Sequence, residues 1–148
     1  MEWTKDDFLI ATDKSKIDVN YVHWFLTNSY WAGGIPIETV KRSIEGSLCF
    51  SVVYFNHQIG FARVITDEAT FAYLADVFID ENFRGKGLSR WLMEVIVNYP
   101  TLQGLRKFLL ATRDAHNLYK QFGFEPLKNA DRWMEIHKPN VYKQNESS

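Results

Sequence analysis

Cysteine is almost missing from this chain: Cys49 is the only one in 148 residues. A lone thiol excludes an internal disulfide and any zinc site built on several cysteines. The histidines, His23, His57, His116 and His137, include no His-x-x-x-His pair of the kind that holds a metal on a helix, so no metal is expected. An excess of either charge is missing too. The formal net charge is −1, which argues against a nucleic-acid-coating protein and makes any phosphate binding a local matter. No run of about 18 uninterrupted apolar residues exists, so no membrane span is expected. Residues Met1 to Asp7 lack the apolar core of a secretion signal, and a cytoplasmic protein is expected.

What is present is an ordinary globular composition, 46% hydrophobic and 24% charged. The length suits one domain over residues 1–148, large enough to bury a core without staples. Aromatics at 16% point to a ring-rich core or pocket.

Taken in order, Phe8 to Thr12 is an apolar run that reads as the first strand. Asp18 can cap a helix to about Asn28 with Val19, Val22, Phe25 and Leu26 inward. Ser29 to Pro36 is a loop broken by glycines, yet it carries Tyr30 and Trp31. These two rings either line a substrate pocket or anchor the loop to the core. Pro36 starts a helix through about Glu45. Leu48–Phe55 and Gln58–Thr66 read as a hairpin joined near Asn56 and His57, and Asp67 to Thr70 turns the chain into a further strand, Phe71–Ile79. Short links between these strands predict an antiparallel meander.

A second helix face repeats at Leu88, Trp91, Leu92, Val95, Ile96 and Tyr99, and Pro100 stops it. The strand Lys107–Ala111 comes next, and the strand–helix–strand order predicts parallel pairing with Phe71–Ile79. Thr112 to Asp114 can cap a short helix from Ala115 to Phe122, ended by Gly123. Phe124–Pro126 and Arg132–His137 read as final strands, and the polar tail 138–148 is expected to fray. The fold class is α+β: a mixed, mostly antiparallel sheet flanked by helices.

Between strand and helix lies Arg84-Gly-Lys-Gly-Leu-Ser89. Gly85 and Gly87 remove side chains where the backbone enters the helix, leaving its first N–H groups bare. With the helix dipole and Arg84, Lys86 and Arg90, these form an anion site suited to a pyrophosphate. The plain alternative is a turn and nothing more. The stretch is not a P-loop, which needs GxxxxGK[ST], nor a dinucleotide fingerprint, which needs G-x-G-x-x-G.

Two motifs together carry a family resemblance. Val77-Phe-Ile79 followed by Arg84 to Ser89 is similar to Gln/Arg-x-x-Gly-x-Gly/Ala, and Ala115-His-Asn-Leu-Tyr-Lys-Gln-Phe-Gly-Phe124 is similar to Ala-x-x-Leu-Tyr-x-x-x-Gly-Phe. In this order the chain resembles the GNAT superfamily of acyl-CoA N-acyltransferases. Ser89 stands where that family has Gly or Ala, and Thr112 where many members have Asn. The resemblance implies a V-shaped splay between two parallel central strands, with acetyl-CoA as co-substrate. It implies that the backbone of Arg84, Gly85, Lys86, Gly87, Leu88 and Ser89 holds the pyrophosphate. Val77, Phe78 and Ile79 would pair with the pantetheine in the splay, and Tyr119 would stand by the thioester sulfur.

Acetyl transfer to an amine needs a neutral amine, donors for the oxyanion and a proton for the departing thiolate. By family position Tyr119 supplies that proton; on chemistry alone it could merely pack beside Leu118 and Phe122. A strand N–H near Val77 or Phe78 is the oxyanion candidate. Asp76 is the only charged residue between Phe71 and Ile79, and a carboxylate there needs a reason. It either binds the ammonium or takes its proton, helped by a burial-raised pKa, or forms a structural pair with Arg63. The expected activity is N-acetyl transfer from acetyl-CoA to a small primary amine by direct attack in a ternary complex. The rivals are a non-catalytic acyl-CoA-binding module and a protein lysine or N-terminal acetyltransferase. Neither nucleic acid nor membrane is an expected partner; exposed strand edges leave room for a homodimer.

Overall fold

The computed structural model describes residues 1–143. Six strands form one sheet in chain order: β1 (Glu2–Lys5), β2 (Phe8–Ala11), β3 (Leu48–Tyr54), β4 (His57–Thr66), β5 (Phe71–Ile79) and β6 (Lys107–Leu110). Pairing is antiparallel from β1 to β5 and parallel between β5 and β6. The β3–β4 hairpin turns on Phe55 and Asn56, both at positive φ (44° and 68°), one residue earlier than the sequence signal places it. At the β4–β5 turn, Thr70 and the N–H groups of Ala69 and Phe71 hold the Asp67 carboxyl well below the usual range.

The helices split between the two faces. α1 (Val19–Thr27), capped by Asp18 Oδ1 on the Tyr21 N–H at 3.1 Å, and α2 (Ile37–Glu45) cover one face. Their Val22, Leu26, Val40 and Ile44 join Cys49, Phe61 and Phe78 in one core cluster. α3 (Leu88–Val97) and α4 (His116–Lys120) cover the other. There Leu92, Met93, Ile96 and Tyr119 meet Phe50, Val64, Ala72 and Leu74. α4 is shorter than expected, and its start is tied by the Ala115 N–H donating to Thr112 Oγ1 at 3.0 Å.

β1 is unexpected. Only Trp3 in it turns inward, onto Phe50 and Tyr99, so its alternation carries little signal. The two final strands are corrected: neither Phe124–Pro126 nor Arg132–His137 is a strand. Phe124 packs by its ring on Phe108 and Tyr119, Pro126 has no N–H to pair, and a helical turn at Ala130–Arg132 interrupts the path. The tail is also less frayed than expected as far as it is described. Tyr142 packs against Gly34 and the α1 cluster, and residues 144–148 lie outside the described residues.

Two irregularities in β5 shape the centre of the molecule. Its pairing with β6 runs only from Phe71↔Lys107 to Leu74↔Leu110, so beyond that point the strands part in a V. Its pairing with β4 steps from Arg63↔Ala75 to Phe61↔Phe78, which inserts one extra residue into β5. Asp76 sits in that bulge at φ 55°.

Candidate active site

At the mouth of the V lies a cleft of about 410 Å³, whose walls include Tyr30, Trp31, Tyr73, Asp76, Thr112 and Tyr119. The bulge explains how Asp76 reaches it. Strict alternation would send Asp76 to the same face as Leu74, into the α3 core. The extra residue turns it to the α1–α2 face instead, where its Oδ2 accepts from Arg63 Nε at 2.8 Å. Its Oδ1 accepts from Trp31 Nε1 at 2.9 Å. Arg63 in turn donates to Ser47 Oγ at 3.1 Å. The two side chains of the pair are 16% and 9% exposed, so this is a charge pair largely withdrawn from water. The structural partner considered for Asp76 is therefore present, and both carboxylate oxygens are engaged.

Tyr30 and Trp31 do two things at once. Trp31 is anchored through its indole N–H and by Phe25, and both rings still form cleft wall. Tyr30 stacks edge-on to Trp31 and carries the Arg113 guanidinium over its face at 3.9 Å. Arg113 has no signal in the sequence; a charged residue in a polar turn is unremarkable until the fold sets it on a ring.

Tyr119 forms the opposite wall. Burial pushes its phenol above the ordinary value, with the charges of Tyr30 and Asp114 adding to the effect. At neutral pH it is a proton donor. Cys49 is buried in the core beneath α1 and α2, and burial pushes its thiol up to about 11, so it is not a ready nucleophile.

The glycine turn sits at the end of the V nearer Ile79. Gly85 and Gly87 take φ of 81° and 76°, and Gly87 is the left-handed N-cap of α3. Apart from the adjoining residues of the chain, no atom lies within 4 Å of where a Cβ on either glycine would stand. The turn is thus open outward, with the first N–H groups of α3 at its floor. Of the three nearby cations, Arg84 donates to the Ile79 carbonyl at 3.3 Å and Arg90 is tied to Gln121 at the C-terminal end of α4, while Lys86 is exposed. Between turn and cleft, Phe78 and Ile79 pair only on the β4 side, Val77 lies in the bulge without a β4 partner, and the other edge of all three is left to the V. Among the described residues no three His, Cys, Asp or Glu side chains cluster as a metal site, and no helix is long and apolar enough to cross a membrane.

Residues 46–126 match the acetyltransferase (GNAT) domain family. A solved structure from Xanthomonas campestris, assigned to the GNAT family, is 44% identical and superposes with a TM-score of 0.91 over 93% of this chain and 97% of that one. A protein of Gibberella zeae assigned as an acetyltransferase is 29% identical over 87% of this chain and 85% of its own length. A GNAT acetyltransferase from Elizabethkingia anophelis, solved with acetyl-CoA bound, shares the fold at 17% identity and a TM-score of 0.60, covering 97% and 88% of the two chains. The sheet that parts in a V, the glycine turn and these likenesses agree: the chain belongs to the GNAT family of acetyltransferases.

Proposed function

We propose that this protein moves an acetyl group from acetyl-CoA to the primary amine of a small molecule, by direct attack with both substrates bound. The observation that carries this reading is the cleft at the mouth of the V, with Tyr119 on one wall and the Trp31–Asp76–Arg63 array on the other. Acetyl-CoA brings the activated acyl group; the rest is the work of this chain's residues. The bare N–H groups after Gly85 and Gly87, with Lys86 beside them, suit a pyrophosphate. The free edge of Val77, Phe78 and Ile79 suits an extended amide chain that adds to the sheet as a strand would. Tyr119, on the cleft wall and protonated at neutral pH, suits the role of handing a proton to a departing thiolate. Asp76 holds Trp31 as acceptor wall and gives the cleft a carboxylate facing an incoming ammonium.

Aromatic walls on both sides of a cleft of about 410 Å³ favour a compact acceptor over a polypeptide. A panel of small amines set against lysine and N-terminal peptides, scored by CoA release, decides it. Small amines should turn over faster; a peptide that outruns every one of them defeats the small-molecule reading.

The glycine turn gives a separate test. Gly87→Val places a β-branched residue at φ 76°, a conformation such residues avoid, and covers the N–H groups beneath. The Kd for acetyl-CoA by calorimetry should rise at least ~10-fold, equivalent to about 1.4 kcal/mol. An unchanged Kd would place the pyrophosphate elsewhere.

A further inference from the structure

Three charged side chains stand on the wall of the cleft: Asp76, Arg113 and Asp114. Asp76 is already answered within the protein, since Arg63 and Trp31 donate to its two oxygens. The other two are not. Among the described residues neither Arg113 nor Asp114 forms an ion pair, although they are neighbours in the chain. What holds the Arg113 guanidinium is the ring of Tyr30, 3.9 Å away.

That contact sets Arg113 apart from an ordinary surface arginine, which extends its head into water and wanders among rotamers. Here a residue of the turn before α4 is laid against a ring from the loop between α1 and α2, at the edge of the cleft both loops wall. A ring takes the face of a guanidinium and makes no use of its five N–H groups, which point outward in its plane. A fork of donors, steadied and without an acceptor, is what a carboxylate or a phosphate completes. The pyrophosphate of the acyl donor is a poor candidate for that guest. The glycine turn has its own exposed cation, Lys86, and none of residues 84–89 lines this cleft. Tyr30 and Trp31 put Arg113 on the acceptor wall.

We propose that the acceptor amine also carries an anionic group, a carboxylate or a phosphate, to which the Arg113 guanidinium donates while resting on the Tyr30 ring. The assignment rests on acetyl transfer to a small amine as the activity, and makes Arg113 the residue that reads the unreactive end of that amine. Asp114 completes the complement. Its charge is felt at Tyr119, where it adds to the raised phenol, so the wall offers an anion near the reacting end as well as a cation. A molecule bearing both charges answers both side chains. A plain alkylamine leaves Arg113 unanswered, and a diamine is repelled by it.

Matched acceptors test this, with CoA release as the rate. Amino acids are set against their decarboxylated amines, and O-phosphoethanolamine against ethanolamine, so that carboxylate and phosphate are told apart. In one of the two series the anionic member should have a kcat/KM at least ~10-fold higher than its uncharged partner. Arg113→Gln, at an exposed position outside the core, should abolish that preference, and Arg113→Glu should invert it. Calorimetry of the same anionic amine with CoA bound reads the contact without chemistry, and its Kd should rise at least ~10-fold in Arg113→Gln. Uncharged amines that match their anionic partners, or a preference that survives Arg113→Gln, overturn the proposal and leave acetyl transfer standing. Anionic amines that bind through Arg113 yet are never acetylated do the reverse, keeping the anion site and removing the small-amine activity. Neither binding nor turnover of any amine removes both.

Discussion

Tyr119→Phe is expected to lower kcat by about 100-fold, the lower end of what a positioned general acid contributes, and to leave the Kd for acetyl-CoA unchanged. The substitution deletes one oxygen from a side chain that is 9% exposed, so the ring's contact with Phe124 survives and the fold should not suffer. The pH profile adds a second reading. Burial raises the phenol above the ordinary 10.0, and the acid form is the active one, so activity should persist through neutral pH and fall only above 10. In the variant that alkaline limb should vanish. Stopped-flow or steady-state CoA release across pH, with calorimetry for the Kd, gives both results. Full kcat at every pH would reduce Tyr119 to a packing residue, and a wild type that binds acetyl-CoA yet transfers to no amine would make the protein a binding module.

The other large effect is expected at Asp76. Asp76→Ala removes the partner of Arg63, whose guanidinium is then left mostly buried with Ser47 alone. Breaking such a pair costs about 3 kcal/mol, measurable by urea unfolding. It also frees the Trp31 indole, so the KM for the acceptor should rise while the Kd for acetyl-CoA holds. Asp76→Asn is the sharper probe. Asparagine tolerates the left-handed backbone at φ 55° and keeps one acceptor oxygen. Its NH2 must face the N–H of either Arg63 or Trp31, so it removes the charge and one of the two hydrogen bonds without truncating the side chain. A fall in kcat for Asp76→Asn with intact acetyl-CoA affinity would give the carboxylate a part in handling the amine. Unchanged turnover across the pH range would leave it a brace for Trp31.

Much of this fold is legible in the residues because its elements announce themselves by period. α3 shows its buried stripe, β3 to β5 their apolar runs, and Asp18 the start of α1. The failures share a cause: periodicity reports what a segment could be and says nothing about whether a partner is in reach. Arg132 to His137 alternates as a strand does, but the chain delivers it past the end of β6. β1 has the partner and almost no pattern, since Trp3 alone points inward. At the site, Asp76 stands out as one charge in an apolar run, and Arg63 can be named as its partner. Its facing cannot be read, because the extra residue that turns it leaves no mark in composition. Arg113 over Tyr30 is a meeting of two loops distant in sequence, visible only once both are folded.

That extra residue makes β5 two strands spliced out of step. Before the splice, Ala72 and Leu74 belong to the α3 core; after it, Phe78 has crossed to the α1 side relative to where counting by twos would leave it. Losing one residue between Ala75 and Val77 would bring the halves back into step. The remaining side chains of β5 would keep their present faces, and what would go is the corner that aims Asp76 at Arg63 and Trp31. A one-codon deletion at Asp76 should therefore leave the sheet able to form while stripping the acceptor wall of its carboxylate, whereas a deletion elsewhere in β5 would reverse the side chains on one side of it.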